Sequence, residues 1–209
     1  MNGLVELYFS SLVTFFVVID PPGCAPIYAG LSAGATATHR RAMAVRAVAV
    51  AAAILFVFAL FGEALLHGLG IGLPSFRIAG GIMLFLIALE MVFEKRTQRR
   101  EDRAAKVADD PEVEDVSIFP MAMPMIAGPG SIASVMLLMS RNSGIERSLV
   151  VLGAMVSILV LTLIALLMAG PLMRLMGAKI EAVITRLLGV LLAALAVQFV
   201  IDGVTASLR

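Results

Sequence analysis

The stretch VVIDPPGCAPIY, at residues 17–28, places a carboxylate and three helix-breaking residues inside a long apolar run. In a bilayer, a helix that breaks exposes unsatisfied N–H groups where its second half begins, and these are tolerated only inside the protein or beside a wet cavity. Asp20 can cap that second half, and Pro21 suits its first position, where no N–H is needed. The sequence therefore predicts a membrane helix that is broken at Asp20.

A second stretch, MIAGPGSIAS at residues 125–134, repeats the pattern without a carboxylate. Its glycines let a ligand approach the backbone closely, and its first serine offers a hydroxyl group. Each half-helix N-terminus carries roughly half a positive charge, so two that meet favour an anion such as an amino-acid carboxylate. Ordinary proline kinks in packed helices are the alternative. The predicted substrate-binding residues are Asp20, Pro21, Pro22, Gly23, Cys24, Ala127, Gly128, Pro129, Gly130 and Ser131.

The composition indicates which elements position these residues. Of the 209 residues, 60% are hydrophobic and the mean hydropathy is +1.01, against about 45–50% apolar residues in soluble domains. Four apolar runs extend to helices of about 20 residues, the length that crosses a bilayer. With the two broken segments they predict six spans, at about 3–33, 47–62, 74–89, 116–140, 148–173 and 178–201. Each broken segment could instead be a re-entrant hairpin.

The two halves of the chain match one another. Three motifs recur at offsets of 107 to 109 positions: Pro22-Gly23 as Pro129-Gly130, Gly62 as Gly170, and Arg77-x-x-Gly80 as Arg186-x-x-Gly189. Because three spans per half is an odd number, the second half must enter the membrane from the opposite side. We therefore predict an all-α fold of two inverted three-helix repeats, residues 1–93 and 118–209. Secondary transporters have this architecture and bind substrate between the repeats, near mid-membrane.

Residues 94–117 form the one long polar stretch, which we interpret as a solvated cytoplasmic loop. Basic residues gather in this loop and on its side of the membrane: Arg40, Arg41, Lys95, Arg96, Arg99, Arg100, Arg103, Lys106, Arg174 and Lys179. The other side has only Arg141, Arg147 and Arg209. The positive-inside rule then predicts that both termini are periplasmic. The net charge of +1 argues against a nucleic-acid partner.

Both breaks resemble the signatures of a known family. The MarC family of bacterial integral membrane proteins has the signature D-P-x-G-N-x-P-I-F, which is similar to IDPPGCAPIY from Ile19. Its second signature, F-P-x-A-x-P-x-x-A-G-P, is similar to FPMAMPMIAGPG from Phe119. Its third-helix and closing motifs are similar to RIAGGIMLFLIA from Arg77 and AVQFVIDG from Ala196. Cys24 departs from the pattern, because it stands where the family usually has asparagine, and this puts a direct substrate contact there in doubt.

The resemblance covers nearly the whole chain, and it implies a multi-pass protein of the bacterial inner membrane. It implies a SnatA-like transporter of small neutral amino acids such as glycine and alanine, related to the LysE-type exporters. We also consider as partners a coupling proton or sodium ion, membrane lipid and a second copy of the chain. The alternative functions are a lipid-phosphate flippase, because helix N-termini also bind phosphate, and another small-metabolite exporter. Without a nucleophile or metal motif, we expect neither an enzyme nor a cofactor.

Five polar side chains are candidates for coupling or gating: Asp20, Glu90, Arg77, Arg186 and Gln198. Asp20 is expected to be the one titratable group at the two breaks, because Ala127 is its counterpart. It either carries a coupling proton or is a permanently charged cap, and the following proline favours the cap. For the two arginines, snorkelling to the interface competes with contact to a carboxylate. Glu90 is either exposed at the interface or functional, and Gln198 could pair with backbone freed by a break.

Overall fold

The structure is a computed structural model, and it describes residues 2–95, 98–102 and 115–208, without the side chains of residues 2 and 172–182. Within these ranges the fold is all-α, as predicted, and no strand occurs. The long elements are α1 (Asn2–Ile19), α2 (Pro21–Leu31), α3 (Ala37–Gly68), α4 (Leu73–Val92), α5 (Pro129–Arg141), α6 (Ile145–Leu167) and α7 (Ala169–Ser207). A kinked segment, Ser117–Ile126, precedes α5. Residues 98–102 are helical, and we call them the loop helix.

Five stretches are long and apolar enough to cross a membrane, and the first of them, Gly3–Leu31, runs through the break at Asp20. The kinked segment and α5 together make a sixth candidate, bent by 51°. That bend suits a broken span and a re-entrant loop equally, so both alternatives from the sequence remain. The fifth predicted span ends earlier than expected, at Leu167. The ring of Pro171 would clash with the carbonyl four residues before it, which is that of Leu167.

The outer faces of the long helices carry large apolar side chains. Phe9, Phe61, Leu149 and Leu187 are each more than half exposed. So much exposed apolar surface is rare on soluble monomers, and it suits contact with lipid acyl chains. The buried side chains lie between the helices and form two clusters, one around α1, α2, α3, α5 and α6, and a smaller one around α4 and α7.

Glycines allow α4 and α7, the last helices of the two halves, to pack closely together over much of their length. A Cβ on Gly81 would lie 2.7 Å from the side chain of Val200, and one on Gly189 would lie 2.9 Å from Cβ of Met91. Small residues at such crossings are typical of membrane helix pairs, because they let the backbones approach. Gly80, the predicted counterpart of Gly189, faces α5 instead.

Several elements have matching neighbours in the two halves. The half-helix α2 packs on α6 and α7, and its counterpart α5 packs on α3 and α4. The kinked segment packs on α3, just as α1 packs on α6. This packing supports the duplication. The inverted orientation stays a prediction, as does the assignment of sides, since four of its basic residues (Arg96, Arg103, Lys106 and Arg209) lie outside the described residues.

Candidate functional site

Asp20 forms the first break and caps the helix that follows it. α1 ends at Ile19, and Asp20 has left-handed backbone angles (φ 60°, ψ 64°) before α2 begins at Pro21. Aspartate is one of the few residues that tolerate this conformation. Its Oδ1 accepts a hydrogen bond of 3.2 Å from the N–H of Gly23. The predicted cap is therefore confirmed.

The cap also leaves α2 without N–H groups for a ligand. Pro21 and Pro22 have no N–H, the N–H of Gly23 goes to the Asp20 side chain, and that of Cys24 goes to the Asp20 carbonyl at 3.0 Å. The sequence predicted that the positive N-terminal ends of two half-helices would meet and favour one anion. At α2 the capping residue and two prolines already account for the first turn, so α2 has no N–H group of that turn to add.

At each break, a small polar side chain contacts a carbonyl at the end of the preceding helical segment. The thiol of Cys24 lies 3.5 Å from the carbonyl oxygen of Ile19, and the hydroxyl of Ser131 donates to the carbonyl of Ile126 at 2.7 Å. The two pairs are 107 positions apart, which matches the offset of the proline-glycine motif. Both side chains thus bind backbone that the break has freed, and this suits the small polar residue at each position.

The second break differs because its capping position has no side chain. Gly128 precedes α5, no side chain caps the helix, and the first helical hydrogen bond runs from Ile132 to Gly128 at 3.0 Å. A Cβ on Gly128 would lie 2.3 Å from the carbonyl oxygen of Pro124. The N–H groups of Gly130 and Ser131 are therefore left uncapped by any described side chain. This is the helix end that can bind an anion.

Arg100, on the loop helix, joins the two breaks. Its residue is only 8% exposed. One guanidinium nitrogen, Nη1, lies 3.0 Å from Oδ2 of Asp20, and the other, Nη2, lies 3.5 Å from the carbonyl oxygen of Met125. A single guanidinium reaches both, so the breaks meet, as predicted.

This contact corrects two expectations. The stretch 94–117 was expected to be a solvated loop, yet Arg100 is buried between membrane helices. Asp20 was expected to be the one titratable group at the breaks, yet a cation accompanies it. The sequence did hold a signal, because a carboxylate inside an apolar run requires a partner. It could not show which of the loop's several basic residues that partner is.

A cavity of about 140 Å³ lies at the start of α5. An apolar cavity of about 150 Å³ is known to hold benzene, so a small amino acid fits this volume. Apolar, charged and backbone groups all contribute to the lining: Val18, Ile87, Glu90, Arg99, Arg100, Pro124, Met125, Gly128, Pro129, Gly130 and Ser131. Glu90 forms an ion pair with Arg99 here. With Asp20 and Arg100, the cluster has two positive and two negative charges, and it is formally neutral.

The remaining predicted residues do not line the cavity, and these include residues 20–24 and Ala127. Arg77 donates to the carbonyl of Ser140 at 3.3 Å, where a cation stabilises the C-terminus of α5. Arg186 pairs with Glu94 at 2.7 Å, and Gln198 donates to Asp202 at 2.8 Å. Of the five candidates for coupling or gating, the structure brings Asp20 and Glu90 to the site.

Comparison with known proteins decides the family. The model of the MarC family integral membrane proteins matches residues 5–208. The chain belongs to the MarC family. A UPF0056 membrane protein of Methanocaldococcus jannaschii is 37% identical over 97% of this chain and 96% of its own. One of Archaeoglobus fulgidus is 31% identical over 99% and 96%, and one of Escherichia coli is 30% identical over 95% and 92%. No solved structure matches the chain. This MarC-family chain is thus a multi-pass integral membrane protein.

Proposed function

We propose that this MarC-family protein is a secondary transporter of small neutral amino acids in the bacterial inner membrane. The observation that carries the proposal is the cavity at the start of α5, where an uncapped helix N-terminus, a buried arginine and an ion-paired carboxylate meet beside an apolar wall. Irregular backbone at membrane depth is typical of transporter binding sites, where it lines a cavity.

The arrangement of charges suits a zwitterion. A substrate carboxylate fits the N–H groups of Gly130 and Ser131, with the positive end of the α5 dipole and Arg100 beside it. A substrate ammonium fits Glu90 on the cavity wall. Because the cluster is formally neutral, a zwitterion enters without leaving a net charge in a medium where unpaired charges are costly.

The apolar wall limits the size of the substrate's side chain. Val18 and Ile87 line the cavity, and they press on α5 so closely that a Cβ on Gly130 would lie 2.7 Å from Ile87 and 3.2 Å from Val18. A cavity of about 140 Å³ then has room for hydrogen or methyl beside the charged groups, and little more. This favours glycine and alanine.

A second cavity supports transport across the membrane. It has a volume of about 510 Å³ and lies at the opposite end of α5, where Met136, Met139 and Ser140 contribute to its lining. Glu63 at the end of α3 adds the charged group. A cavity at the opposite end of the same half-helix gives the site a route to the other side, which alternating access uses when one repeat moves against the other.

A lipid-phosphate flippase is the second candidate, and one observation favours it. Arg99 and Arg100 both line the cavity, and paired arginines bind phosphate well. Both, however, already have a carboxylate partner. A phosphate group would therefore add negative charge to a neutral cluster, and a zwitterion would not. The charge balance makes the amino acid the better ligand.

The test is counterflow in proteoliposomes. Vesicles loaded with unlabelled alanine and containing the purified protein should accumulate labelled alanine, and excess glycine should compete while glutamate and lysine should not. A fluorescent-lipid flip assay runs on the same vesicles. Lipid flipping without alanine counterflow would reject the amino-acid proposal in favour of the flippase.

A further inference from the structure

The buried ion pair between Arg100 and Asp20 calls for an explanation other than stability. Both charges are taken out of water, since their side chains are 9% and 2% exposed. Desolvation of such a pair offsets most or all of the attraction, so a buried salt bridge is weak grounds for a stabilising role. This one is also formed by a loop residue that must reach between membrane helices.

The pair is incomplete in its geometry. Asp20 uses Oδ1 for the N–H of Gly23 and presents only Oδ2 to Arg100. The second guanidinium nitrogen makes a long contact of 3.5 Å to the carbonyl of Met125. A guanidinium binds a carboxylate best through two parallel hydrogen bonds. A free carboxylate in the adjoining cavity can form both, and the Asp20 carboxylate, held by its capping role, forms one.

We propose that Arg100 is the residue that receives the substrate's carboxylate, and that Asp20 is an internal carboxylate that occupies Arg100 when no substrate is bound. The proposal rests on the proposed function, since it deepens the same site. The substrate's carboxylate takes the place of Asp20 at the guanidinium, and its ammonium enters with it, so the total charge of the cluster is unchanged. Asp20 keeps its hydrogen bond to Gly23 and still caps α2.

A second ion pair, beside the first, can receive the substrate's ammonium group. Glu90 at the end of α4 is paired with Arg99, which neighbours Arg100 on the loop helix. An incoming zwitterion can replace both pairs, with its carboxylate on Arg100 and its ammonium on Glu90. These two ion pairs connect the loop helix to Asp20 and to Glu90, so a bound zwitterion replaces both connections. A ligand with only one of the two charges replaces only one of them.

The experiment is a double-mutant cycle on alanine affinity, measured by equilibrium binding to the purified full-length chain. Arg100→Gln should weaken binding at least about tenfold, because it removes a charge-assisted hydrogen bond. Asp20→Asn should strengthen binding several-fold, because asparagine can still cap α2 but no longer competes for Arg100. In the Arg100→Gln background, Asp20→Asn should have no effect. Arg46→Gln removes an exposed ion pair with Asp115 and is the matched control.

A second readout separates ligand binding from a structural role. Alanine should lose affinity in Arg100→Gln, whereas alaninamide, which has no carboxylate, should bind the variant and the wild type equally. If Arg100→Gln does not fold, Arg100→Lys keeps the charge without the fork and should show an intermediate loss for alanine alone.

Two results would overturn the proposal: equal loss of both ligands, or an Asp20→Asn variant that binds alanine no better than the wild type. Failure of the wild type to bind alanine at all would instead reject the proposed function.

Discussion

Replacing Gly23 by alanine tests whether the first break is organised around the Asp20 carboxylate. An added Cβ would lie 2.2 Å from Oδ2 and 2.8 Å from Cγ of Asp20, closer than atoms approach without movement. The carboxylate is the group that must move, and it holds two contacts, the cap to Gly23 and the pair with Arg100. Both should therefore be weakened by one methyl group.

The expected size follows from these two contacts. Loss of a cap costs about 1 kcal/mol, and a disturbed hydrogen bond to a buried charge costs about 1.5–3 kcal/mol. Gly23→Ala should thus lower the free energy of unfolding by about 2.5–4 kcal/mol, which for a chain of this length is about 5–16 °C in Tm. Thermal unfolding in detergent, followed by circular dichroism, measures it.

Gly30→Ala, in the same half-helix, is the matched control. A Cβ on Gly30 meets nothing within 4 Å, so this variant should be neutral or slightly stabilising. A second control places Gly23→Ala on Asp20→Ala, where the carboxylate is gone and the added methyl should cost little more. If Gly23→Ala behaves like Gly30→Ala, or if its effect is unchanged in the Asp20→Ala background, the account of the first break is wrong.

Three further predictions test orientation, substrate size and coupling. In a Cys24→Ser background, cysteines at Gly3 and Ser207 should react with an impermeant reagent from the periplasm and one at Gln98 should not; labelling of Gln98 would reverse the topology. Ile87→Ala should enlarge the cavity and admit leucine into counterflow, whereas unchanged exclusion of leucine would place the substrate elsewhere. Asp20→Asn should keep alanine accumulation driven by a proton gradient, since we favour a charged cap; intact exchange without accumulation would make Asp20 the proton carrier.

The positions of the breaks could be predicted from local chemistry. Asp20 before two prolines, and Pro129 between two glycines, allow only a helix start at those places, and α2 and α5 begin at Pro21 and Pro129. The all-helical fold follows equally directly from the apolar runs, because a bilayer leaves the backbone few other choices. Both conclusions depend only on residues that are close together in the sequence.

Arg100 could not be predicted, because its role depends on contacts distant in sequence. It is 80 positions from Asp20 and 25 from Met125, and it lies in a polar stretch that the sequence led us to expect to be solvated. The same holds for the role of Asp20. Its type and position predicted the cap, while the pairing with a loop residue depends on how the helices pack. Arg77 shows the reverse error, since a plausible site residue binds the C-terminus of α5 instead.

The two breaks are closed by the same kind of bond but are capped differently, and that difference assigns them different tasks. Each is closed by a small polar side chain that binds the last carbonyl before the break, at Ile19 and Ile126. The first break has a carboxylate at its capping position, and the second has a glycine. An anion can therefore bind only where the cap is missing, at α5. The carboxylate of the first break then serves, in our proposal, as the intramolecular equivalent of the ligand that the second break binds.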